Sequence, residues 1–114
     1  MKKTLWLALV TSAMAWTPAG ALAQSNQDGT VLQIRVRATD GLVRVQLDGP
    51  RGTTPACASQ PHWTIANETS IAGRQQIALL TMAQAAGKRV IVYGTGACAR
   101  WPDSESIAEI AVWD

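Results

Sequence analysis

The chain has a single histidine, His62, and two cysteines, Cys57 and Cys98. One imidazole and two thiols fall short of the ligands a structural zinc ion takes, and the cysteine spacing is nothing like C-x-x-C. No serine after the first 23 residues stands in a Gly-x-Ser-x-Gly context, the hydrolase elbow. Gly94-Thr95-Gly96 lacks the third glycine of a dinucleotide loop and opens no helix, so it reads as a turn. Asp103 and Glu105 stand two positions apart on one loop, without the facing geometry of a glycosidase pair. His62 has no nucleophile beside it and reads as a structural or solvated side chain. No catalytic residue, metal or cofactor is assigned, and the chain is read as a non-enzyme.

Long apolar runs are also scarce. The one at the start, Leu5 to Ala15, is too short for a comfortable membrane span and is broken by Pro18 and Gly20. With Lys2 and Lys3 before it and Ala21-Leu22-Ala23 after it, it reads as a cleaved signal peptide over 1–23. Residues 24–114 then form a single domain of about 90 residues. Loss of Lys2 and Lys3 removes the net charge of +2 and leaves equal numbers of basic and acidic residues. A balanced surface carries no polyelectrolyte footprint, so nucleic acid is not the expected partner. Export permits a Cys57–Cys98 bridge, which over 41 positions is worth roughly 4 kcal/mol by loop-closure entropy. The expected location is the periplasm or the medium.

What is present is alternation. Leu32, Ile34, Val36 and Ala38 define the inward face of a first strand, and Arg35 and Arg37 its outer face, after a polar arm from Gln24 to Thr30. Thr39-Asp40-Gly41 turns the chain into a second strand with Val43, Val45 and Leu47 inward. Arg35, Arg37 and Arg44 make a basic stripe on the hairpin, read as a solvated or subunit-facing surface. A loop from Asp48 to Pro61 leads to a short strand at His62–Ala66, then to capping residues Asn67 to Ser70. A helix over 72–86 ends at Gly87. Its main apolar face holds Ile71, Ala72, Ala78, Leu79, Met82 and Ala86. Ile77 and Leu80 form a second patch, assigned to contact between subunits. Val90–Tyr93 and Ile107–Trp113 complete five strands.

Three strands, a helix and two strands match the oligonucleotide/oligosaccharide-binding (OB) barrel. Gly29-Thr30-Val31, Ala56-Cys57, the helix end Ala-Ala-Gly-Lys and Val-Ile-Val-Tyr before a late cysteine resemble the B subunits of subtilase cytotoxin and pertussis-like toxins. The resemblance covers nearly the whole chain after the leader. It implies a five-stranded barrel, a homo-oligomer that is often a ring of five with the helices lining its centre, and glycan binding at the surface. The sugar pocket of those subunits uses polar residues just before the first strand. That segment here is Ser25 to Thr30, which brings in Ser25 and Asp28.

Arg100, Trp101, Asp103 and Glu105 join the last two strands, a connection such barrels commonly use for ligands. There an indole can stack on a sugar ring while carboxylates accept from its hydroxyls. The competing use is structural, with Trp101 over the disulfide and Asp103 closing the bend. Two functions remain open: a glycan-binding module, or a periplasmic structural or inhibitory protein that contacts a protein partner.

Overall fold

In the computed structural model, which describes residues 25–113, the elements are β1 (Asn26–Val36), β2 (Val43–Leu47), β3 (Trp63–Ile65), α1 (Ile71–Ala86), β4 (Arg89–Gly94) and β5 (Glu105–Val112). The signal peptide read over 1–23 lies outside the described residues. Each strand bonds to two others, closing the sheet into a ring of order β1-β2-β3-β5-β4. Neighbours run antiparallel except β3 and β5, which pair in parallel. The fold is thus mostly β with one helix, a five-stranded mixed sheet closed on itself.

The first strand starts earlier than its apolar alternation predicts. Asn26 to Thr30 pair with β4 instead of forming a loose arm, and Val31 to Val36 pair with β2. Polar Gln27 hid this inward phase: it is buried, but its Oε1 accepts from Trp63 Nε1 at 2.8 Å. A bulge between Val31 and Gln33 then shifts the phase, so Val31 is buried while Leu32, expected inside, is exposed. The ring encloses Val43, Val45, Leu47, Trp63, Ile65, Val90, Val92 and Ile107, as the alternation in β2 predicts.

Helix α1 is bounded as expected. Ser70 Oγ accepts from the Gly73 N–H at 3.0 Å, and Gly87 ends the helix at φ 65°, with Lys88 N–H bonded to the Ala83 carbonyl at 2.9 Å. Its two faces are the reverse of those read from the sequence. Leu80 and Ala83 are fully buried and Ile77 packs partly against the same core, so Leu80 is no subunit contact and Ile77 leans inward. Ile71, Leu79 and Met82 face solvent. Both faces are apolar, so periodicity could not rank them. Packing decides, because Gly73 lies so close to the Asn67 carbonyl that a Cβ there would overlap it. No described helix is long and apolar enough to cross a membrane.

Cys57 and Cys98 are joined, with Cα atoms 6.1 Å apart, tying the β2–β3 loop to the β4–β5 loop. Such a bond belongs to a non-cytoplasmic, oxidising compartment.

Candidate functional site

The β4–β5 loop gathers the expected residues but uses them within the fold. Ser104 N–H bonds back to the Trp101 carbonyl at 3.3 Å, making a tight turn. Trp101 is half-buried, and the Arg37 guanidinium stacks 4.1 Å from its ring centroid. Arg37 is in turn held by Asp40, Nε to Oδ1 at 2.9 Å. Arg100 Nε reaches Glu68 Oε1 at 3.0 Å, and its Nη2 donates to the Asp40 carbonyl at 3.1 Å. These contacts knit three loops together. Asp103 is half-buried, and its carboxylate accepts from Ser104 Oγ at 2.8 Å.

Glu105 is not on the loop at all. It opens β5 in the inward phase beside Trp63 and is fully buried. Its Oε1 accepts from Arg51 Nη2 at 3.0 Å and its Oε2 from Gly96 N–H at 2.9 Å. Arg51 also stacks over Trp63 at 3.8 Å. Ser25 is buried too, its carbonyl accepting from Gly94 N–H at 2.8 Å. Neither Glu105 nor Ser25 can meet a surface ligand. Both belong to the wall of the ring, because period two turns them inward.

Asp28 is different. It points outward from the first half of β1, where Arg89 Nη2 lies 2.7 Å from its Oδ1. Beside it Thr30 donates twice to Asp48, N–H to Oδ1 at 2.8 Å and Oγ1 to Oδ2 at 2.5 Å. The Thr30 hydroxyl thereby holds the Asp48 carboxyl below the usual carboxylate range. Trp113, just past β5, donates its N–H to the Arg89 carbonyl at 2.8 Å and leaves 52% of its surface exposed.

Two shallow clefts meet here. One of about 290 Å³ is lined by Asp28, Arg89 and Trp113. The other, of about 260 Å³, shares Asp28 and Arg89 and extends along Thr30, Asp48 and Pro50. At neutral pH the site offers an indole, a guanidinium, a hydroxyl and two carboxylates. Such a set can stack on a ring and exchange hydrogen bonds with polar groups.

No protein-family model, curated protein or solved structure matches this chain. Among the described residues, no group of three His, Cys, Asp or Glu side chains gathers as a metal site would require.

Of the cleft residues, the sequence points to Asp28 and to the segment ending at Thr30, and not to Trp113, Arg89 or Asp48. Those three come from separate stretches, and only ring closure joins them. One signal was available: with Ile110 and Val112 inward, the period of β5 turns Trp113 outward.

Proposed function

We propose that this protein is an exported, non-catalytic binding module on an OB-type barrel, and that it recognises a glycan in the cleft of Trp113, Asp28 and Arg89. One observation carries the reading: an indole more than half exposed stands beside an outward carboxylate–guanidinium pair. The indole offers a face to the C–H groups of a sugar ring, while Asp28 accepts from hydroxyls and Arg89 donates to them. Asp28 also lies in the segment that the toxin B-subunit resemblance implicates. The strand order, with a helix between the third and fourth strands, agrees with that barrel type. The Cys57–Cys98 bond fits the periplasm or the medium as destination.

The chain acts as a homo-oligomer on this reading, with the outward stripe of Ile71, Leu79 and Met82 as the subunit contact in place of Ile77 and Leu80. That stripe lies on a helix whose only charged residue is Arg74. The same stripe favours the second reading, contact with a different protein.

A glycan array probed with the oxidised protein tests the proposal. Wild type is expected to retain a small set of glycans, and Trp113→Ala to lose them while keeping its fold. Equal retention by both would remove Trp113 from recognition.

A further inference from the structure

At the other half of β1 the charges are arranged differently. Arg35 and Arg44 are direct cross-strand partners on the β1–β2 hairpin. Antiparallel pairing holds their Cα atoms roughly 5 Å apart, and like charges placed so oppose each other. Four other arginines, Arg37, Arg51, Arg89 and Arg100, each have a carboxylate within ion-pair distance. Among the described residues no carboxylate pairs with Arg35 or Arg44. A cleft of about 220 Å³ opens between them, walled by Val36, Leu42 and Arg37. Arg37 contributes little free charge there, since Asp40 already holds it in a two-point bond.

We infer that this cleft is an anion site, in which Arg35 and Arg44 together clasp one tetrahedral oxyanion, the phosphate or sulfate group of an ester. Guanidinium forks match such oxygens in shape, and two unpaired forks match a doubly charged group in charge. The bound anion also relieves the repulsion that the strand pairing imposes. Leu42, fully buried, underlies the cleft. His62 stands in the same field: burial, then Arg44 and Arg35, push its imidazole below its ordinary value, while Asp103 pushes it up. The site lies on the half of β1 that pairs with β2, whereas Asp28 lies on the half that pairs with β4. It therefore stands or falls independently of the glycan cleft.

The test is a titration of the mature, oxidised protein, followed by NMR at physiological ionic strength. Inorganic phosphate, glycerol phosphate and N-acetylglucosamine sulfate serve as probes. The expected result is saturable shifts of the Arg35 and Arg44 side-chain signals and a rise in the His62 pKa, as the anion offsets the arginine field. Arg35→Gln and Arg44→Gln should each weaken binding about tenfold or more, the loss of one charge-assisted contact. Arg74→Gln, remote on α1, should leave it unchanged. A preference for the sulfated sugar or for glycerol phosphate identifies which ester the site serves. No saturable shift with any probe, or undiminished binding in both glutamine variants, overturns the inference. The two arginines lie on the outer face of the hairpin, so both variants should give a native spectrum.

Discussion

Arg51 and Glu105 carry opposite charges almost out of water, with 12% and 0% of their side chains exposed. Such a pair contributes little beyond an apolar replacement, yet removing one partner strands the other. Arg51→Met is therefore expected to cost about 3–5 kcal/mol in urea unfolding. Adding Glu105→Gln should recover most of that loss, since the stranded charge is gone. Arg37 holds the Asp40 carboxyl well below the usual carboxylate range, and the Thr30 hydroxyl does the same for Asp48. A depressed folded value gives stability that is present above the ordinary pKa of about 4 and lost as pH falls below it. The urea midpoint should thus drop from pH 4 toward pH 2, and Asp40→Asn with Asp48→Asn should flatten that drop. Sequence patterns could not separate these carboxylates from Asp28. All are acids near turns or strand ends, and only the three-dimensional neighbours show that Asp40 closes a turn with Arg37 while Asp28 and Asp48 line the cleft.

Helix α1 shows how element boundaries and element faces differ in legibility. Its cap and stop were readable from the capping run Asn67 to Ser70 and from Gly87, because those signals are local. Its inward face was not, since Ile71, Leu79 and Met82 are as apolar as Leu80. Burial now separates them. Leu80→Ala is expected to cost about 2–5 kcal/mol by denaturant unfolding, and Leu79→Ala about 0.5 kcal/mol or less. If the outward stripe joins subunits, Met82→Lys should reduce the mass seen by light scattering to that of a monomer. An unchanged mass would move the contact elsewhere. The first hairpin was readable for the same local reason as the helix ends: Asp40-Gly41 marks the turn, and β2 alternates cleanly. The start of β1 was hidden because it buries Gln27 and Gly29 rather than apolar side chains.

The ring of strands brings Asp28, Asp48, Arg89 and Trp113 to one place, although they span most of the folded chain. Two long loops hang from that ring, and the Cys57–Cys98 bond ties them. Replacing both cysteines by serine should lower stability by about 4 kcal/mol in denaturant unfolding, the loop-closure value for 41 residues. The three tryptophans among the described residues report on three environments: Trp63 fully buried, Trp101 half-buried beneath Arg37, and Trp113 open. Their indole N–H signals therefore form a ready map of ligand contact. Titration of the isotope-labelled protein with sialyllactose, lactose and chitotriose, read at those three signals, tests the glycan cleft most directly. The expected result is that one of these sugars shifts the Trp113 indole in a saturable way and leaves Trp63 and Trp101 in place. Shifts confined to Trp101, or none at Trp113 with any of the three, would contradict it.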